Sequence, residues 1–204
     1  MLENQMMLLA VFERAALMLM TLFLLTRTRP FQRLFQKRDH TPAELVLVAA
    51  IFCLFAVFST YTGIPVEGAL INVRIIAILS GGILFGPWVG IPAGVISGLH
   101  RYLIDMDGHT SIPCLIASII AGLLATWLHL RCRKSRLWLY GILAGMACEG
   151  LTMLLIWQLT EPQAVGVEIV SHIAYPMIAG ALCIGLIIKL VQDLDDEKEL
   201  IAAK

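Results

Sequence analysis

The sequence predicts an all-α fold: a polytopic transmembrane helical bundle of six to seven helical segments. Three observations carry that expectation. Hydrophobic residues make up 59% of the 204-residue chain and the mean hydropathy is +0.84, well above an ordinary soluble domain. Charged residues gather in a few clusters, and the apolar blocks between them have bilayer-crossing length, about 17–25 residues. The basic clusters fall in short loops, the pattern of cytoplasmic connections. A formal net charge of zero gives no electrostatic reason to expect a nucleic-acid partner. The five cysteines, at 53, 114, 132, 148 and 183, show no Cys-x-x-Cys or Cys/His spacing. Neither a metal site nor a disulfide framework is expected.

Residues 6–26 form the first apolar block. It begins close to Met1 without an Ala-x-Ala-like cleavage site, so it reads as a span and not as a removable signal peptide. Glu13 and Arg14 lie inside it on different helix faces. Each costs about 2.5–3.5 kcal/mol at the bilayer centre, which favours positions near the outer end with partners inside the bundle. Residues 27–40 carry Arg27, Arg29, Arg33, Lys37 and Arg38 against Asp39 and read as a cytoplasmic loop. Thr41-Pro42-Ala43-Glu44 reads as a capping box, with Thr at the N-cap, Pro at N1 and Glu at N3. It opens a second span that ends near Thr62. Residues 63–68, with Pro65 between glycines, read as a turn-rich outer loop.

The stretch 74–102 decides the topology. Glycine recurs at 82, 86, 90, 94 and 98, a spacing that bares one helix face for close backbone approach. Gly86-Pro87 and Pro92 interrupt the run. One continuous helix would be about 43 Å long. It would put Arg74 and Arg101 on opposite membrane faces and the basic cluster 131–136 outside. A turn at Gly86-Pro87 instead brings both arginines to the outer side and keeps 131–136 in the cytoplasm. A hairpin, crossing fully or re-entrant where protein covers it, is therefore the expectation.

Beyond it, 105–110 reads as a polar outer loop with Ser111 as the next N-cap. A span over 112–130, the basic turn 131–136 and a span over 137–158 follow, the last with Glu149 at mid-depth. Residues 160–163 form an outer turn. The final span covers 167–190, with His172 near its outer end and a kink at Tyr175-Pro176. From Gln192 the chain turns abruptly polar. Residues 1–191 thus read as a transmembrane ligand-sensing domain and 192–204 as the start of a cytoplasmic signalling helix. The N-terminus would lie outside and the C-terminus inside.

On this topology Arg74 and Arg101 alone among the Lys and Arg residues past the first span face outward. A guanidinium takes a carboxylate through two parallel charge-assisted hydrogen bonds and keeps its charge. Asn72, as an N-cap, would leave backbone N–H groups and a positive helix end nearby. Such a site suits a small organic anion. The alternative is that the arginines pair with Glu67, Asp105 or Asp107, or anchor among headgroups. Cys114 and Ser118, four apart, share a helix face and either meet the anion's other end or simply pack. His100 either adjusts the local charge with pH or sits at the interface. Glu149 is either functional or hydrogen-bonded to a neighbouring helix, and His172 reads as a bundle residue. Nothing reads as catalytic, and no cofactor is expected.

Asn72-x-Arg74, the run Ser80-Gly-Gly-Ile-Leu-Phe-Gly-Pro87, Gly98-Leu-His-Arg-Tyr102 and the following Pro113-Cys114 resemble the membrane receptor domain of LytS/YpdA-type sensor histidine kinases. The likeness runs across nearly the whole chain and is nearest to the pyruvate-sensing members. It implies a multi-pass domain of the bacterial cytoplasmic (inner) membrane that binds extracellular pyruvate or a similar small carboxylate. It also implies a fold like the vitamin-binding subunits of energy-coupling transporters. Arg74, Arg101 and Cys114 are the ligand contacts it implies, with a hydroxyl about one turn later. Ala117 stands where related sensors have serine, and Ser118 follows. A GAF-like region and a histidine kinase would follow Lys204, with a LytTR-type response regulator as partner and a homodimer in the lipid bilayer; the chain itself would not be an enzyme. The rival is a small-carboxylate or vitamin transporter subunit, since broken helices around an anion are also transporter features. The charged tail after the last span favours a sensor.

Overall fold

A computed structural model describes residues 2–26, 41–66 and 69–202. The basic loop predicted over 27–40 lies outside the described residues, as do Glu67 and Gly68. The described helices are α1 (Leu2–Thr26), α2 (Pro42–Tyr61), α3 (Arg74–Phe85), α4 (Pro87–Ile104), α5 (Ser111–Arg131), α6 (Leu137–Leu159), α7 (Gln163–Gly180) and α8 (Leu182–Ala202). Helices α2, α5, α6 and the run Gln163–Asp193 that joins α7 to α8 are long and apolar enough to cross a membrane. The fold is the expected all-α membrane bundle. Large apolar side chains such as Leu54, Phe58, Leu123, Trp127 and Leu154 cover its outside, where lipid rather than water is the favourable neighbour.

Local chemistry explains most boundaries. The capping box opens α2: the Thr41 hydroxyl accepts from the Glu44 N–H, and the Glu44 carboxylate accepts from the Thr41 N–H at 2.8 Å. Arg14 of α1 is satisfied inside the bundle, donating to the carbonyls of Thr62 and, at 3.1 Å, Ala10. In place of the turn-rich loop predicted over 63–68 stand two short antiparallel strands, β1 (Ile64–Val66) and β2 (Ala69–Ile71), with Ile64 opposite Ile71 and Pro65 opposite Leu70. A two-stranded ribbon tolerates Pro65 because no further strand needs its missing N–H.

Helix α3 is the centre of the molecule. All its residues except Leu84 are buried, as expected of a helix that is apolar all round. It ends at Gly86, whose φ of +80° is one that glycine adopts without penalty. Pro87 then starts α4 at the first helical position, where a missing N–H costs nothing. The hairpin tip lies beside His129, whose Nδ1 is 2.9 Å from the Ile83 carbonyl oxygen, so the hairpin reaches almost to the far end of α5. The glycine stripe is its seam. A Cβ on Gly82 would stand 2.8 Å from the Gly90 Cα, and one on Gly122 of α5 would stand 2.5 Å from the Gly90 carbonyl oxygen.

Two sequence expectations are corrected. Thr110, not Ser111, is the N-cap of α5; Ser111 is its first residue and its hydroxyl donates to the Asp105 carbonyl. Val73, not Asn72, is the N-cap of α3; Asn72 serves from one position earlier, its Oδ1 accepting from the Arg74 N–H at 3.2 Å. The last span runs as a helix through Pro176, and at Ala181, whose backbone stays helical (φ −60°, ψ −24°), the ladder tightens so that the Ala181 N–H reaches the Ile178 carbonyl at 3.2 Å. Helix α8 then locks onto α6, where a Cβ at Gly145 would meet Ile184 at 2.4 Å and one at Gly141 would meet Ile188 at 2.5 Å.

Candidate ligand-binding site

The hairpin returns Arg101, at the end of α4, to the level where Arg74 starts α3, and both ends meet the first turns of α5. Each arginine is buried, Arg74 at 2% and Arg101 at 0% exposure, but their surroundings differ. Arg101 is answered at its terminal nitrogens, while its Nε has no partner among the described residues. Both of its terminal nitrogens lie 3.1 Å from one Asp105 carboxylate oxygen, Nη2 donates to the Thr110 hydroxyl at 3.1 Å, and Nη1 reaches Ser111 Oγ at 3.4 Å. An i,i+4 ion pair of this kind is what the headgroup-free alternative in the sequence anticipates for Asp105. Among the described residues Arg74 has one long contact, Nη2 to the Cys114 carbonyl at 3.4 Å, and its Nε and Nη1 have no partner.

Arg74 lines a cavity of about 20 Å³, room for one or two water molecules. Arg74, Asn72, Cys114, Thr110, Glu149 and Thr152 supply its polar wall, and Ile156, Ile173 and Met177 close it from α6 and α7. Of the six residues singled out in the sequence, Asn72, Arg74 and Cys114 thus border the cavity. Arg101 stands behind Thr110. Ser118 is buried in the glycine seam and donates to the Cys114 carbonyl at 2.6 Å, the same oxygen that faces Arg74. His100 stacks edge-on against Tyr61 at the end of α2, ring centroids 5.1 Å apart.

Thr110, Glu149 and Thr152 are additions from the fold. The Thr152 hydroxyl is used by the Cys148 carbonyl at 2.8 Å, whereas Glu149 Oε2 is buried without a partner. An ionisable residue in mid-span was the one sequence signal for it. Thr160 Oγ1 donates to the His109 carbonyl at 3.3 Å, tying the 105–110 loop to the α6–α7 turn above the cavity. Among the described residues no three His, Cys, Asp or Glu side chains converge as a metal would require. The arrangement gathers a guanidinium, a thiol and a carboxyl around one small cavity, groups able to hydrogen-bond a small polar molecule.

A buried hairpin inside an all-α membrane bundle, with a charged cavity near one end, describes a membrane receptor domain. The chain belongs to the five-transmembrane receptor family described as 5TMR of 5TMR-LYT, whose family model matches residues 28–194. Its relatives are sensor proteins. It is 58% identical over 198 residues to the sensor histidine kinase YpdA of Escherichia coli (strain K12), covering 97% of this chain and 35% of that protein. It is 30% identical over 188 residues to the sensor protein LytS of Bacillus subtilis (strain 168), covering 82% and 31%. It is 31% identical over 175 residues to the sensor histidine kinase BtsS of Escherichia coli (strain K12), covering 83% and 31%. The chain therefore spans about a third of the length of these relatives, 31–35%. No solved structure matches it. It is a sensory membrane domain of the LytS/YpdA type.

Proposed function

We propose that this domain senses a small extracellular monocarboxylate, pyruvate foremost, and forms the input end of a sensor histidine kinase. The observation that carries the reading is Arg74, a buried guanidinium with two unpartnered nitrogens at the edge of a cavity. A buried charge left short of hydrogen bonds is costly, and a carboxylate removes that cost through two parallel bonds. In this reading Arg74 is the direct contact, with Cys114 beside it. Arg101 adds its charge from behind Thr110, Ser118 and Asn72 hold the Cys114 carbonyl and the start of α3 in place, and His100 lies outside the wall.

The affinity that such a ligand can reach is bounded. Pyruvate has six heavy atoms, so even about 1.5 kcal/mol per atom gives roughly 9 kcal/mol, a sub-micromolar ceiling. Typical efficiency gives micromolar to millimolar binding, which suits a nutrient sensor. The cavity is smaller than pyruvate, so binding must part its walls. The flexible Met153 and Met177 side chains are the least costly to move, and the ligand favours the wider arrangement only by binding it more tightly.

The membrane orientation follows from charge. Arg131, Arg133 and Arg136 lie at the end of the bundle opposite Arg74 and face the cytoplasm, leaving the cavity towards the outside. Residues 192–204 would then lead, in a homodimer, to kinase and GAF-like regions acting on a LytTR-type regulator. Calorimetry on the chain in lipid nanodiscs tests the core of the reading: pyruvate binds, and Arg74→Ala removes the binding. Undiminished binding by Arg74→Ala overturns the site. Flux of labelled pyruvate into proteoliposomes would support the transporter reading instead.

A further inference from the structure

Glu149 is the buried group that the arginine reading leaves unused. It sits on α6 at 4% exposure, borders the same cavity as Arg74, and its Oε2 has no hydrogen-bond partner. It is not hydrogen-bonded to Arg74, whose Nε and Nη1 are equally unanswered. A carboxyl that served only to join helices would be bonded to a neighbour. Here two opposite, buried, under-bonded groups share one cavity without touching, the arrangement expected when a third molecule with two polar ends completes both.

We infer that Glu149 is the second anchor of the ligand site and reads the substituent on carbon 2 of the ligand while Arg74 holds its carboxylate. The inference rests on the reading of the Arg74 cavity as a carboxylate site. The hydrogen-bond inventory fixes the form of the contact. A 2-oxo group can only accept, so Glu149 meets it as the carboxylic acid, donating its proton from the carboxyl oxygen to the ketone oxygen. One positive guanidinium then faces one carboxylate, and the bound site is charge-balanced. A 2-hydroxy group can donate as well as accept and satisfies the same position. An unsubstituted acid such as propionate leaves Glu149 unmet, and a site built to hydrogen-bond a substrate group rejects the analogue that lacks it. A second carboxylate placed there would leave one negative charge unbalanced in the buried site and is disfavoured for that reason. Specificity for 2-oxo and 2-hydroxy monocarboxylates therefore resides on α6, and carboxylate capture on α3.

The test compares pyruvate with propionate on the 204-residue chain in lipid nanodiscs, using calorimetry for wild type, Glu149→Gln, Glu149→Leu and Arg74→Ala. Wild type should prefer pyruvate by about 10- to 100-fold, the cost of leaving one buried donor unmet when propionate binds. Glu149→Gln, whose amide still donates, should keep most of that preference, and Glu149→Leu should lose it while still binding propionate. Infrared difference spectra on adding pyruvate give a second readout that does not depend on the Leu variant folding. Wild type should show a shift of a protonated-carboxyl C=O band that is missing in Glu149→Gln. An unchanged preference in Glu149→Leu, or no such band in wild type, overturns the role of Glu149 and leaves the Arg74 site standing if Arg74→Ala still abolishes binding. Undiminished pyruvate binding by Arg74→Ala overturns the carboxylate site and the Glu149 inference together.

Discussion

Gly94→Ala isolates what the glycine seam contributes. A methyl group at Gly94 would stand 2.5 Å from the Ser118 carbonyl oxygen and 3.3 Å from the Gly122 Cα. Ordinary contact begins at 3.4 Å, so the shortfall is about 0.9 Å. The obstruction is backbone, which cannot rotate aside as a side chain would. Helices α4 and α5 must therefore part by nearly that distance, loosening the approaches at Gly90, Gly98 and Gly122 as well. Overpacking of this kind costs about 1–3 kcal/mol. The better helix propensity of alanine returns about 1 kcal/mol, leaving a net loss of up to about 2 kcal/mol. At about 2–4 °C per kcal/mol for a chain of this size, the melting temperature in nanodiscs should fall by up to roughly 8 °C, and below that of the Gly150→Ala control. Gly150→Ala is the internal control: nothing lies within 4 Å of a methyl there, so only the propensity gain remains and the melting temperature should hold or rise. If Gly94→Ala melts with or above Gly150→Ala, backbone contact across the seam is not what holds α4 on α5.

Three further outcomes are expected. Gly86→Ala combines a backbone φ of +80° and ψ of −156°, a region kept almost entirely by glycine, with a methyl 2.9 Å from the His129 ring; it should destabilise the hairpin by about 1–3 kcal/mol, read as a lower melting temperature. Thr41→Ala removes one half of the capping box and should cost about 1 kcal/mol without changing pyruvate affinity, since Thr41 does not border the cavity. Arg74→Lys keeps the charge but loses the planar fork, and calorimetry should show pyruvate binding weakened about tenfold or more; binding equal to wild type would mean that the charge alone suffices.

Much of the fold was legible because membrane sequences punctuate themselves. The Thr41–Glu44 box marked the start of α2 to the residue, and the hairpin followed from Gly86-Pro87 together with the charge of the 131–136 loop. The strands at 64–71 were not legible: a Pro inside so short a segment flanked by glycines carries turn signals and almost no periodicity. The site was half legible. Arg74, Asn72 and Cys114 lie near helix starts, where loops fix their level in the bundle. Glu149 lies 75 positions from Arg74 in mid-helix, and whether the two share a cavity depends on how α6 is rotated about its axis. A soluble helix reveals that rotation through its polar stripe. Helix α6 is apolar on every side, with Leu143, Met146 and Leu154 facing out and Ala144, Met153 and Ile156 facing in, so its sequence does not.

Helix α6 joins the cavity to the last helix directly. It carries Glu149 and Thr152 at the cavity, and two turns below it presents Gly141 and Gly145 as sockets for Ile188 and Ile184 of α8. Close-packed sockets transmit displacement because they cannot deform without losing contact. A displacement of α6 at the cavity therefore reaches α8 sideways, from one helix to its neighbour, like a key turning in a lock rather than a piston being pushed.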